Sequence, residues 1–150
     1  MRPFMPDPVS RSAARLRYHT QERLRFGDQD SQGHINNAVY STLFECNRVE
    51  FQSGPRFLEL EDSQLSVLAS VTIDYLRELH WPGTVDIRLG VSAIGRSSFC
   101  FEQELWLGDT LISRARSTQV MIDRESRKPV PLSEAQRQQL ATWKTDSPVQ

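Results

Sequence analysis

Two carboxylates, Asp28 and Asp30, close a strand-like segment, and an Asn-Asn pair follows shortly after them. The stretch reads Gly27-Asp28-Gln29-Asp30-Ser31-Gln32-Gly33-His34-Ile35-Asn36-Asn37-Ala38-Val39-Tyr40, and it runs on to Glu45 and Arg48. Asn36 or Asn37 can start a helix, and a helix start presents unpaired backbone N–H groups with a partial positive charge. A carboxylate beside such a terminus suits acyl transfer: one group attacks or deprotonates, and the N–H groups hold an oxyanion.

The elements that must hold these groups are legible from hydrophobic period. Tyr18 to Phe26 alternates loosely and predicts a first strand, and Gly27 to Ile35 is a polar, turn-rich loop. From Ala38 to Phe51 the apolar residues Val39, Tyr40, Leu43, Phe44, Val49 and Phe51 mostly recur at spacings of three or four, the period of a helix with a broad buried face. Gly54-Pro55 is its expected stop. Then the period changes to two. Val67, Ala69, Val71, Ile73 and Tyr75 share one face, with Leu68 and Leu76 as exceptions, and Trp81-Pro82-Gly83-Thr84 reads as a type II turn. Val85, Ile87, Leu89, Val91 and Ala93 alternate with polar residues or glycine. Gly95-Arg96-Ser97 turns the chain into Phe99, Phe101, Leu105 and Leu107, Gly108-Asp109 suits a type II′ hairpin, and Leu111 to Ile122 returns as the last long strand. Asp123 to Pro131 is a charged turn. Ser133-Glu134-Ala135-Gln136 is a capping-box pattern that opens a short helix to about Trp143. One helix followed by antiparallel strands is an α+β plan, the sheet curling around the apolar helix. Its uncovered face and edges predict self-association.

The chain has 150 residues, enough for one hydrophobic core, expected over 18–143 with flexible tails at 1–17 and 144–150. Net charge is −1 with 25% charged residues, so no basic excess points to nucleic acid or to an anionic membrane surface. Apolar runs are too short to span a bilayer. Cys46 and Cys100 sit in apolar segments and read as buried thiols of a reducing compartment, which favours the cytoplasm. The first residues lack the apolar block of a secretory signal, and their Arg/Ser bias is faintly transit-like, though a flexible tail fits their composition better.

The stretch Arg25-Phe26-Gly27-Asp28-Gln29-Asp30, Gly33-His34-Ile35-Asn36-Asn37-Ala38, Tyr40, Glu45, Arg48 and Glu50 resembles the hotdog-fold acyl-CoA thioesterases of the 4-hydroxybenzoyl-CoA thioesterase-like family. Looser similarity runs through Ile73-Asp74-Tyr75, Pro82-Gly83, Ile94 to Phe99 and Ala115-Arg116. The resemblance implies an antiparallel sheet wrapped around one central helix. It also implies a homodimer joined sheet edge to sheet edge, often pairing to a homotetramer, with sites at the subunit interface. It carries the catalytic aspartate onto Asp30 rather than Asp28, and the oxyanion-binding backbone N–H onto Asn37. The implied reaction is hydrolysis of an acyl-CoA thioester to a free acid and CoA, with no metal or redox cofactor.

A thioester carbonyl is activated, so one carboxylate acting as nucleophile or general base can suffice. The bland alternative is that Asp30 only caps the loop in an Asx-turn. Asp28 reads as a supporting group. The Asn37 side chain is a cap, while its backbone serves the oxyanion. His34 either orients the loop or touches the thioester. Tyr40 packs in the acyl pocket or at the interface, and as an aromatic at helical spacing it reads as core first and ligand second. Glu45 is the reserve carboxylate, or pairs with Arg48 on the helix surface. Arg96 is the best candidate partner of the CoA phosphates, with Arg114, Arg116 and Lys128 behind it, and each reads equally as a solvated surface charge. His19 and His80 show no carboxylate or cysteine neighbours at ligand spacing, so no metal site is expected. Two other functions remain open: a non-catalytic module that binds acyl-CoA or acyl carrier protein thioesters, and a dehydratase, disfavoured because His34 precedes the helix.

Overall fold

The alternating Val85, Ile87, Leu89 and Val91 become strand β3 (Thr84–Ile94), and all four side chains are fully buried on one face. In the computed structural model, which describes residues 7–53 and 58–145, β3 joins β1 (Tyr18–Arg23), β2 (Gln64–Tyr75), β4 (Ser98–Leu107) and β5 (Thr110–Asp123). The five strands form one antiparallel sheet in the order β1-β3-β4-β5-β2. Helix α2 (Asn37–Phe51) packs against β3 and β1, so the sheet wraps one central helix in the hotdog arrangement.

The interior has two apolar clusters, one toward each end of α2. Tyr40, Leu43 and Phe44 meet Leu24, Leu79, Val85, Ile87 and Leu105. Phe51 meets Tyr18, Leu89, Val91, Phe101 and Leu140. Between them lies a polar belt that hydrophobic period does not reveal. Asn47 donates to Thr20 Oγ1 (2.8 Å) and the Ile87 carbonyl (3.2 Å). Gln103 donates to the Phe44 carbonyl (2.9 Å) and Asn47 Oδ1 (2.7 Å), and accepts from Arg48 Nη1 (3.2 Å). Val49, expected inside, is 53% exposed, and the inward positions go instead to Asn47 and Arg48.

Several local readings change. The segment expected as a flexible tail contains helix α1 (Pro8–Arg15), capped by the Asp7 side chain, which accepts from the Ser10 N–H (3.0 Å), with Pro at its start. Its docking has a physical cause: the outer face of the sheet carries Arg88, Glu102 and Glu104, and buried charges need partners. Ser12 Oγ donates to Glu104 (2.6 Å), Arg15 pairs with Glu102 (2.5 Å), and Arg88 donates to the Val9 carbonyl (2.9 Å). Gly90 opens the space. A Cβ there would lie 2.9 Å from the Leu16 side chain and 2.7 Å from that of Thr145. The C-terminal tail is likewise held as far as Thr145, whose N–H donates to the Val91 carbonyl (2.9 Å).

Strand β1 ends at Arg23, and Phe26 lies 70% exposed on a short 3-10 turn (Phe26–Asp28). The alternation along β2 is interrupted by a register shift between Leu68 and Ser70, and β2 is an edge strand with exposed Leu68, Val71 and Tyr75. Gly83 lacks the positive φ that a type II turn demands, and the Trp81–Pro82 peptide is cis. The Gly108-Asp109 hairpin turn has Gly108 at φ +60°, as type II′ requires. The capping box is present, Ser133 and Gln136 bonding reciprocally at the start of α3 (Glu134–Thr142). Cys46 is exposed and Cys100 half-buried, which corrects the reading of both as buried thiols. The expected helix stop at Gly54-Pro55 lies outside the described residues, and α2 closes on Gln52. No helix among the described residues is long and apolar enough to cross a membrane.

Candidate active site

The loop between β1 and α2 is tied down by Asp28. Its carboxylate accepts from the Arg25 backbone N–H (2.8 Å) and from Arg25 Nε and Nη2 (3.2 and 2.9 Å), and its carbonyl accepts from the Asn36 N–H (2.9 Å). Burial alone would raise the Asp28 carboxyl, but the Arg25 hydrogen bonds and charge outweigh it and hold the group below its ordinary 3.8. A carboxyl depressed in the folded state stabilises fully above its unfolded value, and that contribution fades as pH falls through the lower folded value. Asp28→Asn is therefore expected to lower the melting temperature at neutral pH and to shrink that difference below pH ~4, read by thermal melts across pH.

Asp30 sits farther out and is exposed. Its Oδ1 accepts from the N–H groups of Gln32 (2.8 Å) and His34 (3.1 Å), and its own N–H donates to the His34 carbonyl (2.7 Å). The Asx-turn is thus present, yet it engages one carboxylate oxygen. Oδ2 has no hydrogen-bond partner among the described residues.

The first turn of α2 shows the complementary feature. Asn36 caps the helix in place of the Asn37 side chain, its Oδ1 accepting from the Ala38 N–H (3.0 Å), and the Val39 N–H donates to the Asn36 carbonyl (2.9 Å). The Asn37 N–H has no acceptor among the described residues, leaving it a free donor at the positive end of the helix. Asp30, His34, Asn37 and Tyr40 all line one open depression of about 410 Å³. Tyr40 is buried and meets Tyr75 edge to face (centroids 4.9 Å), and the Tyr75 hydroxyl donates to the Asn37 carbonyl (3.3 Å).

Arg96 is not brought to this depression within the chain. It occupies the β3–β4 turn at the far end of β3, about 30 Å from the Val85 end at ~3.3 Å per residue, where its carbonyl accepts from the Leu132 N–H. Arg77 is the basic residue on the depression itself. Glu45 is exposed and does not pair with Arg48, which turns inward to Gln103.

The expectation that His19 and His80 lack carboxylate neighbours fails, and His19 Nε2 lies 2.9 Å from Asp86 Oδ1. Glu78 Oε2 lies 3.4 Å from both His80 Nε2 and His34 Nε2. The signal was in the sequence: Glu78 and His80 flank the buried Leu79, and alternate residues of extended backbone share a face. That His34 stands opposite them is a tertiary fact.

Residues 24–140 match the thioesterase-like superfamily. The chain belongs to that family. Solved structures agree on the fold. PA5185 of Pseudomonas aeruginosa strain PAO1 superposes with a TM-score of 0.78 at 23% identity, covering 86% of this chain and 92% of that one. SAV2348 of Staphylococcus aureus, solved in complex with CoA, gives 0.77 at 18% identity, with 84% and 82% covered. The 1,4-dihydroxy-2-naphthoyl-CoA thioesterase Slr0204 of Synechocystis gives 0.73 at 18% identity, with 83% and 95% covered. Membership of this family supports thioester hydrolysis as the general chemistry.

Proposed function

We propose that the protein hydrolyses an acyl-CoA thioester to a carboxylic acid and CoA at the depression between Asp30 and the start of α2. One observation carries the reading: a carboxylate oxygen and a helix-terminal N–H, both without partners among the described residues, belong to residues that line the same depression. Asp30 takes a proton from water as the water oxygen attacks the carbonyl carbon, or attacks that carbon itself to give an anhydride that water resolves. In either case the Asn37 N–H holds the developing oxyanion, the C–S bond breaks, and CoA leaves as a thiolate that takes up a proton. The acyl group lies against Tyr40, with His34 on the loop side. CoA-bound SAV2348 shares the fold, and Arg77 offers a charge for the phosphates that Arg96 does not offer in the same chain. The working unit is a homodimer, able to pair to a tetramer, consistent with the exposed apolar side chains along edge strand β2.

Asn37→Pro tests the oxyanion role directly. Proline is tolerated at the first helical position, and Asn36 already has the extended conformation (φ −58°, ψ 136°) that precedes proline well. The substitution removes the N–H and leaves the helix. Thiol release is expected to fall about 10²–10³-fold in Asn37→Pro and to persist in Asn37→Ala, which keeps the N–H. Equal rates in both variants would remove Asn37 from the reaction. A wild type that binds acyl-CoA without turnover would make the domain a binding module.

A further inference from the structure

We propose that His34, Glu78 and His80 form a binding site for a divalent transition-metal ion of the zinc class, at the rim of the depression. The three residues come from two separate segments, and one ligand atom from each lies within 4.8 Å of the other two. Two imidazoles and one carboxylate are a donor set suited to zinc. Two ligands bound tetrahedrally, each at ~2.05 Å, stand about 3.3 Å apart. Both His–Glu separations, at 3.4 Å, are already at that spacing.

The second nitrogen of His80 supports the assignment. Nδ1 lies 3.3 Å from the Gly33 carbonyl. With an ion held at Nε2, the His80 ring would carry its proton on Nδ1, within reach of that carbonyl acceptor. The same loop supplies His34, because Gly33 turns with φ +78° immediately before it. The rings of His34 and His80 meet edge to face with centroids 5.0 Å apart, and the more exposed Glu78 and His80 side chains can close the remaining gap around an ion. A three-ligand site leaves a fourth position for water. Metal binding here is independent of the thioester reading, since it is measured without turnover.

The test is calorimetric titration of Zn²⁺ into the full-length, chelator-stripped protein in a non-coordinating buffer, with visible spectra of the Co²⁺ form. Wild type is expected to bind one ion per chain, with Co²⁺ bands lacking thiolate charge transfer. His80→Ala and Glu78→Gln are each expected to weaken binding at least ~10-fold while melting as cooperatively as wild type. Absence of stoichiometric binding by wild type would overturn the proposal. So would unchanged affinity in both variants, or thiolate charge-transfer bands placing the ion on Cys46.

Discussion

Asp30→Asn is expected to remain folded and to lose about 10²–10⁴-fold in thioester turnover, measured by thiol release under saturating substrate. Asparagine keeps an oxygen at Oδ1, so the hydrogen bonds from the Gln32 and His34 N–H groups survive and the loop keeps its shape. What disappears is the charge on the second oxygen, the one without a partner among the described residues. A purely structural Asp30 would show the opposite pattern, with activity retained. Full activity in the variant would move the reaction to another carboxylate. Glu45, the reserve residue of the sequence reading, lies farther along α2 in a different surface depression with Glu22 and Cys46. That separation favours Asp30.

Gln103→Leu should destabilise the fold by about 1–3 kcal/mol for each buried polar group it leaves unpaired, read from denaturant unfolding. Gln103 is fully buried, holds the Phe44 carbonyl and Asn47, and accepts from Arg48, itself only 4% exposed. Burial already weakens the hold of the Arg48 guanidinium on its proton, lowering it from its usual value despite the charge of Glu45. Removing the glutamine oxygen leaves a buried cation without its acceptor and strands Asn47 Oδ1. A double variant, Gln103→Leu with Arg48→Met, is expected to recover part of the loss, because the uncompensated charge goes too. A Gln103→Leu protein as stable as wild type would mean that the polar belt does not secure α2.

The sequence is a good guide wherever one face of an element is wholly apolar. Val85, Ile87, Leu89 and Val91 alternate without interruption, and β3 is found where that pattern predicts it. The asparagine start of α2 and the Ser133 capping box are local chemistry, so they too are legible. Interactions that depend on distant partners are not. Helix α1 is arginine- and serine-rich and reads as a tail until Glu102 and Glu104 face it from β4. Arg48 looks like a surface partner for Glu45 until Gln103 is seen beneath it. Arg96 is attractive as a charge in a turn, but β3 carries that turn away from the start of α2. In the candidate site, Asp30, His34, Asn37 and Tyr40 converge because they are close in sequence, whereas Tyr75, Arg77 and Glu78 arrive through the fold.

The measurement that most directly tests the proposed hydrolysis is thiol release from a panel of acyl-CoAs, wild type beside Asp30→Asn. The panel should run from short to long straight chains and include an aromatic acyl group. Clear turnover of at least one member by wild type, collapsing in Asp30→Asn, is the expected result. A folded wild type that releases no thiol from any member, or a variant that turns over as fast as wild type, would contradict it.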